Sequence, residues 1–175
     1  MPLGAAANPY RSILGDGFAS LHPHVRHAHS APLVAAGTLD VEHGAHWSTP
    51  LLVRSLSLPP RGTQPVRLEI VDAGHDLRWS RRIGTTALET LQRADGRLLI
   101  ERHGLGHITF RLDVRNGALH YTQDGFFVAG LRVPRPVSPW VCADVTATPE
   151  GWRVDVTVTW RARLVCRYAG DIHSL

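Results

Sequence analysis

The sequence contains no lysine, so all 19 of its basic side chains are arginines. An enzyme that forms a Schiff base, anchors pyridoxal phosphate or uses a lysine base needs a lysine amine. The P-loop of nucleotide-binding proteins needs a lysine as well. The sequence therefore excludes these classes of site, and any chemistry must come from other side chains.

Cysteine is scarce too, since Cys142 and Cys166 are the whole set. Two cysteines are too few for the disulfide framework of a small secreted domain. The N-terminal residues show no basic segment followed by a sustained apolar run, so no signal peptide is predicted. We therefore expect a cytoplasmic protein whose two cysteines are thiols.

Long hydrophobic runs are missing, and no stretch approaches the roughly 18 apolar residues that span a bilayer. We therefore expect no membrane span. With 175 residues, of which 43% are hydrophobic and 19% charged, the composition is that of a globular protein. This length favours a single domain over residues 1–175. Its first residues, 1–8, are small and predict a loose tail.

The motifs that hold cofactors are absent. The sequence has no Gly-x-Gly-x-x-Gly opening a helix, no Cys-x-x-Cys and no His-Glu-x-x-His. Four of its eleven histidines, His22, His24, His27 and His29, lie close together, but Pro23 interrupts the helix that would align them. A surface histidine cluster is favoured over a metal site. We predict neither a cofactor nor a metal.

The net charge of +4 raises the question of a nucleic-acid partner. The arginines are scattered singly along the sequence and form no basic block. This pattern favours a solvated arginine-rich surface, and we predict no nucleic-acid partner.

Polar and apolar residues alternate with a period of two from Pro65 onward, which is typical of β-strands. Asp95-Gly96 and Asn116-Gly117 are strong hairpin signals within this region. Residues 9–60 instead contain proline-capped helix starts and one strand, and we interpret them as a cap. We predict an α+β, mostly β fold: a strongly curved antiparallel sheet or β-barrel over residues 65–171, with short N-terminal helices.

The last strand predicted from this pattern runs from Trp152 to Tyr168, with one face apolar throughout. At about 3.3 Å per residue, a straight strand of this length would exceed roughly 50 Å. It must therefore bend around a core or break at a bulge, which also favours a curved sheet or barrel.

The Asp95-Gly96 turn lets us predict which residues face each other across the hairpin. A two-residue turn there places Glu89 opposite Arg102, on the face that carries Leu91 and Ile100. Such a pair is either a polar anchor in a ligand cavity or an ion pair at the rim, worth under about 1 kcal/mol. On the other face Glu101 and His103 lie two residues apart, as an acid–base couple or, in the interpretation we favour, as solvated residues.

Aromatic side chains fall on the apolar faces of several predicted strands. Ordinary core packing explains them, but the wall of a cavity for an apolar ligand would have the same composition. The candidate ligand-binding residues are Trp79, Tyr121, Trp160 and Tyr168.

Three motifs carry a resemblance to a known family. They are Arg78-Trp79-x-Arg81-Arg82-x-Gly84, Glu101-Arg102-x-Gly104 and Gly151-x-Arg153-x-Asp155-Val156. Their order resembles a bacterial domain of unknown function, number 4166 in its series, over about residues 10–170. The resemblance implies a domain that often follows nucleotide-sugar-epimerase-like or saccharopine-dehydrogenase-like domains, and here we expect a stand-alone copy. It implies no particular chemistry.

Two functional hypotheses of different classes follow. The first is a cofactor-independent enzyme that cyclises or isomerises an apolar, secondary-metabolite substrate in a β-enclosed cavity. Arg102 or Arg81 would polarise a carbonyl, and Glu89 or Glu101 would orient that arginine or move a proton. The alternative is a non-catalytic module that binds a lipid or another small molecule. A purely structural domain and a homodimer both stay open.

Overall fold

The computed structural model describes residues 8–175, so most of the predicted tail lies outside the described residues. Its helices are α1 (Pro9–Leu14), a 3-10 helix (Gly15–Phe18), α2 (Pro23–Ala28) and α3 (Thr49–Ser55). Its strands are β1 (Leu33–His43), β2 (Gly62–Ala73), β3 (Asp76–Ile83), β4 (Thr86–Asp95), β5 (Leu98–His103), β6 (Gly106–Arg115), β7 (Ala118–Val128), β8 (Leu131–Arg132), β9 (Trp140–Ala147), β10 (Trp152–Trp160) and β11 (Arg163–Ser174).

Ten of these strands form one closed antiparallel barrel. Consecutive strands pair from β1 to β7, β7 pairs with β9, and β9 to β11 continue the sheet. The pairing of β11 with β1 closes the ring. The two-residue strand β8 is a short addition on β7. The predicted fold class is confirmed, with a mostly β architecture and short N-terminal helices.

Strand β1 belongs to the barrel, although we grouped it with the cap over residues 9–60. It pairs with β2 on one side and with β11 on the other, for example Leu39 with Gln64 and with Gly170. The barrel therefore begins at Leu33 rather than at Pro65. The cap is limited to the helices that lie before and after this strand.

The long strand predicted for residues 152–168 is two strands. Arg161 and Ala162 have φ angles of 50° and 61°, and they form the turn between β10 and β11. The predicted alternation holds on β10, where Trp152, Val154 and Val156 line the interior. The apolar pattern continued through the turn because both strands of this hairpin contribute to the same interior.

The loops of an antiparallel barrel alternate between its two ends. The N-terminal helices close one end, which we call the plugged end. His22 donates its backbone N–H to the carbonyl of Gly117 (2.9 Å), and His24 Nδ1 lies 2.9 Å from the carbonyl of Thr148. Tyr10 of α1 and Val25 of α2 are fully buried there.

Helix α3 covers part of the other end, which we call the open end. Its apolar residues Leu52, Val53 and Leu56 pack against a buried cluster that includes Val158 and Val165. Among residues 8–175, no helix has the length and apolar character needed to cross a membrane.

Strands β1 and β11 approach each other closely at two glycines. A Cβ atom added to Gly170 would lie 2.0 Å from the carbonyl oxygen of Thr38. One added to Gly37 would lie 2.0 Å from the carbonyl oxygen of Asp171. Only a residue without a side chain fits at these positions, because the obstructing atoms belong to the paired backbone.

We expect Gly170→Ala to destabilise the protein by about 1–3 kcal/mol or more, because the added methyl group overlaps backbone atoms that cannot move without breaking the ladder. Thermal unfolding of the variant measures this effect. Gly17→Ala is the matched control, since its Cβ would meet only side-chain carbons at 3.8 and 3.9 Å. An unchanged melting temperature for Gly170→Ala would contradict the close approach.

Candidate ligand cavity

A cavity of about 430 Å³ occupies the interior of the barrel. It extends from Ala28 and His29 at the plugged end to α3 and the neighbouring loops at the open end. Ser55, Ser57 and His103 are the exposed residues of its lining within the described chain, and all three lie at the open end. The cavity therefore communicates with solvent through a mouth at this end.

Most of the wall is apolar. Inward-facing side chains of several strands form it, among them Leu39, Val66, Leu68, Ile83, Phe110, Val145, Val156 and Val158. The polar part is a cluster on neighbouring strands β3, β4 and β5, to which tyrosines from α1 and β7 are connected by hydrogen bonds. A tyrosine from β11 also lines the cavity. A concave apolar site with a few convergent polar groups is the usual form of a small-molecule site.

The centre of the polar cluster is an ion pair between Arg81 on β3 and Glu101 on β5. Arg81 Nη1 donates to Glu101 Oε1 at 2.7 Å and to Thr90 Oγ1 at 3.3 Å. Gln92 Nε2 donates to Glu101 Oε2 at 3.1 Å. The side chains of Arg81 and Glu101 keep 20% and 17% of their surface accessible, and both line the cavity.

Two tyrosines connect this cluster to the plug. The hydroxyl of Tyr10 on α1 donates to Gln92 Oε1, and the hydroxyl of Tyr121 on β7 donates to that of Tyr10 at 3.2 Å. The ring of His29 lies edge-on to the ring of Tyr10, with centroids 4.6 Å apart. The helical plug therefore contributes directly to the floor of the cavity.

Both members of the ion pair are charged at neutral pH. Burial alone would raise the pKa of Glu101, but the charge and hydrogen bond of Arg81, with bonds from Thr90 and Gln92, hold this pKa below its usual value. Burial alone would lower the pKa of Arg81, and Glu101 instead raises it. The charged state of both residues is thus stabilised by their mutual attraction and by hydrogen bonds with neutral side chains.

The tyrosines of the cavity are neutral. Burial raises the pKa of Tyr10 and Tyr121 well above the ordinary value, and it raises that of Tyr168 to about 12. They therefore act as hydrogen-bonding groups and not as bases near neutral pH. Burial also lowers the pKa of His29 to about 4, so this histidine is uncharged.

Unused donors remain beside the ion pair. Arg81 makes its bonds through Nη1, while its Nε and Nη2 donate to no residue of the described chain. Its guanidinium lies over the ring of Trp79, 4.9 Å from the centroid. The buried indole N–H of Trp79 also has no acceptor among residues 8–175. The cluster can therefore accommodate an additional hydrogen-bond acceptor.

The structure brings together five of the eight residues that we selected from the sequence. Arg81, Glu101, Trp79, Tyr121 and Tyr168 all line the cavity. Their roles in binding or catalysis stay predictions, because their position alone assigns none.

The predicted pair of Arg102 with Glu89 is wrong. Both side chains are exposed on the outer face of the barrel. Arg102 lies opposite Leu91, and Glu89 lies opposite Ser80. The turn contains Gly96 and Arg97 rather than Asp95 and Gly96, because only Gly96 adopts a positive φ of 58° there, as the first position of a type II′ turn requires.

The predicted inner face of this hairpin is also reversed. Glu101 and His103, which we favoured as solvated residues, line the cavity instead. Leu99 on the same face is fully buried, so apolar residues occur on both faces of β5. The aliphatic residues Leu91 and Ile100 on the opposite face therefore do not indicate which face is the interior.

Trp160 does not line the cavity within the described chain. Its indole Nε1 donates to the carbonyl of Val137 at 3.2 Å at the open end, and Arg161 lies over its ring. The residues that sequence reasoning missed are Tyr10, His29 and Gln92, and the expectation of a surface position is wrong for His29, which is buried. These three residues reach the site from helices or from a polar position on a strand, where no periodic pattern distinguishes them from surface residues.

The remaining histidines form no metal site in the part of the chain that is described. No group of three or more histidine, cysteine or acidic side chains is placed to hold an ion among residues 8–175. His29 Nδ1 lies 2.7 Å from the carbonyl of Val25, and His43 Nε2 lies 2.9 Å from that of Pro59. These histidines serve as local hydrogen-bonding partners.

We expect Arg81→Met to lower the free energy of unfolding by about 3–5 kcal/mol at pH 7, because it leaves the Glu101 carboxylate buried without its partner. The double variant Arg81→Met/Glu101→Leu should recover most of this loss, since it removes both charges. Urea unfolding of the two variants and of Glu101→Leu gives the coupling energy. A coupling near zero would show that the pair contributes nothing inside the barrel.

The buried His29 predicts a pH dependence of stability. Its folded pKa of about 4 lies below the ordinary histidine pKa of 6.5. As the pH decreases, His29 is therefore protonated in the unfolded chain before it is protonated in the folded protein. The free energy of unfolding is at its full value above pH 6.5 and falls as the pH decreases toward 4. We expect His29→Phe to flatten this slope, whereas His173→Gln at an exposed position should keep it. Unfolding curves between pH 7 and 4 make the comparison.

Comparison with known proteins gives a family but no function. The family described as Domain of unknown function (DUF4166) matches residues 21–172, from the plug to the last strand of the barrel. No curated protein and no solved structure matches the chain. The match covers nearly the whole barrel and includes the Arg81–Glu101 cluster, so the chain belongs to the DUF4166 family.

Proposed function

We propose that this barrel binds an apolar small molecule carrying one hydrogen-bond-accepting group, such as a carbonyl or carboxylate. The observation that carries the proposal is the Arg81–Glu101 pair, which lies in an otherwise apolar cavity and leaves guanidinium donors unused. Burying a charge pair of this kind costs desolvation free energy, and a barrel with hydrophobic residues at both positions would often be as stable. Stability alone therefore does not explain the pair, whereas binding the polar group of a ligand would.

The size of the cavity supports a ligand. Its volume of about 430 Å³ falls in the range of small-molecule sites. Because the cavity opens to solvent, water enters it when no ligand is bound. The mostly apolar wall offers this water few hydrogen-bond partners, which favours its displacement by an apolar molecule.

The geometry suggests how the ligand would lie. Its accepting oxygen would meet Nε or Nη2 of Arg81, whose orientation is fixed by Glu101 and Thr90. Its apolar body would contact the aliphatic wall and the aromatic rings of Trp79 and Tyr168. Because the cluster is preorganised by hydrogen bonds, little side-chain ordering accompanies binding.

Isomerisation or cyclisation of the bound molecule is the second candidate function. A continuous set of hydrogen bonds joins Arg81, Glu101, Gln92, Tyr10 and Tyr121 beside the cavity, and this observation favours it. Arg81 would polarise a carbonyl, and Glu101 would take a proton from the neighbouring carbon and return it elsewhere on the same molecule. The lowered pKa of Glu101 makes it a weak base, so binding has the stronger support.

Fluorescence titration with cis-parinaric acid, which joins an apolar chain to a carboxylate, tests the binding proposal. We expect saturable binding at one site. Arg81→Lys should weaken binding by about tenfold, because it keeps the charge but loses the planar fork of donors. Ala143→Leu, which adds volume to the cavity wall, should weaken binding as well.

The exposed Arg102 supplies the matched control. Arg102→Lys makes the same chemical change outside the cavity and should leave the affinity unchanged. Melting temperatures of all three variants establish that they are folded. Equal affinities for wild type, Arg81→Lys and Ala143→Leu would show that the probe binds elsewhere, and would contradict the proposal. Turnover of a bound ketone, lost in Glu101→Gln, would instead establish the catalytic candidate.

A further inference from the structure

Arginines collect at the open end of the barrel, around the mouth of the cavity. We define the open rim as the loops of this end with the adjoining strand residues, in the ranges 43–62, 82–87, 102–107, 128–140 and 159–164. These segments contain eight of the 19 arginines and none of the 15 acidic residues. All eight arginines are exposed. The rim is therefore a strongly cationic surface.

These charges are largely uncompensated. Of the eight, only Arg132 forms an ion pair within the described residues, at 4.0 Å from Asp124. The rest of the chain carries eleven arginines and all 15 acidic side chains, so it is net negative. Asp76, Asp95 and Glu150 lie at the plugged end. Arg97 and Arg115 lie there as well, so the plugged end carries both signs of charge whereas the open rim carries only positive charge.

The same rim exposes large apolar side chains. Eight such side chains are exposed in the described part of the chain, and six of them lie on the open rim: Trp47, Leu51, Leu105, Val128, Leu131 and Val137. Trp47, Leu105 and Leu131 are 83%, 82% and 76% exposed. Clustered exposed apolar side chains mark an interaction surface, unlike the scattered ones of an ordinary surface.

Hydrogen bonds hold the rim loops to one another. The backbone N–H of Ala129 donates to the carbonyl of Leu105 at 2.9 Å, which joins two neighbouring turns. Trp160 Nε1 donates to the carbonyl of Val137, and Arg161 Nε donates to that of Pro136, both at 3.2 Å. The charged and apolar side chains are therefore presented on connected loops and not on independent ones.

We propose that the open rim docks on an anionic lipid bilayer. The apolar side chains would enter the interfacial layer, and the arginines would contact lipid phosphates beside them. A nucleic acid would engage the arginines but would leave the six apolar side chains in water, so the combination favours lipid. If the cavity binds an apolar ligand as proposed above, its mouth would then open onto the bilayer, and the ligand would pass between them without crossing water.

Sedimentation with lipid vesicles tests the electrostatic part. We expect the protein to bind vesicles of phosphatidylcholine containing phosphatidylglycerol, and to bind pure phosphatidylcholine much more weakly. Arg54→Gln/Arg163→Gln should lower the partition coefficient by roughly thirtyfold, from about 1 kcal/mol for each arginine near the surface. Arg78→Gln/Arg97→Gln removes the same charge near the plugged end and should change it by less than about twofold.

The apolar part needs its own variants. Leu105→Ser/Leu131→Ser should lower the partition coefficient by about tenfold, because two side chains no longer enter the interface. Leu175→Ser, at an exposed apolar residue outside the rim, should have no effect. Vesicles should also shift the tryptophan emission to shorter wavelength, and Trp47→Phe should remove most of this shift.

Three results would overturn membrane docking. The first is no binding to anionic vesicles at low salt. The second is an equal decrease in the partition coefficient for the rim and the plugged-end arginine variants. The third is a decrease for the rim arginine variant with no decrease for Leu105→Ser/Leu131→Ser. The last result would indicate an anionic macromolecule in place of a bilayer. Titration with cis-parinaric acid without vesicles is independent of docking, so a failure of one proposal is distinguishable from a failure of the other.

Discussion

The pairing of β1 with β11 is the constraint on which the rest of the structure depends. Every other strand pair of the barrel joins neighbours along the chain, apart from the small step over β8. The β1–β11 ladder joins residues 35–43 to residues 166–174, and so brings the first and last strands of the barrel together. Because this contact is the least local of the fold, its formation carries the largest loop-closure entropy.

Closure of the barrel separates an enclosed interior from the solvent-facing surface, and this enclosure determines the electrostatics of the site. Once no edge strand remains in the ring, alternate residues of each strand face either the cavity or water. Arg81 and Glu101 are then enclosed, and their attraction acts where water screens it little. The plug adds Tyr10 and His29 to the same enclosure. A site assembled from α1, β3, β4, β5 and β7 exists only in the closed barrel.

The sequence predicted much of the fold because its turns specify local geometry. At Asn116-Gly117 both residues adopt positive φ, as a type I′ turn requires. The two-residue turn predicted there places Val114 opposite Leu119 and Leu112 opposite Tyr121, and both pairs are present. The Asp95-Gly96 signal was ambiguous, since glycine can take the first or the second turn position. The type II′ turn that forms moves every pair by two residues, which separates Glu89 from Arg102.

The site was harder to predict than the fold for a related reason. The inner face of β4 and β5 carries Thr90, Gln92 and Glu101, while the outer face carries Leu91 and Ile100. A rule that places apolar residues inside therefore selects the wrong face at this hairpin. Local departures from the hydrophobic pattern are expected where a structure serves a ligand rather than its own stability. The reversal is thus itself an argument that the cluster has a functional role.

The charge of the open rim shows how a barrel converts a dispersed sequence pattern into a surface. The arginines occur singly, and no segment of the sequence is a basic block. Antiparallel strands bring every second turn to the same end, so single arginines at alternate turns meet around one opening. The acidic residues are placed at the other turns and along the strands, and the modest net charge of +4 conceals the difference between the ends. A protein with this distribution is oriented by any anionic surface it approaches, with the mouth of its cavity directed toward that surface.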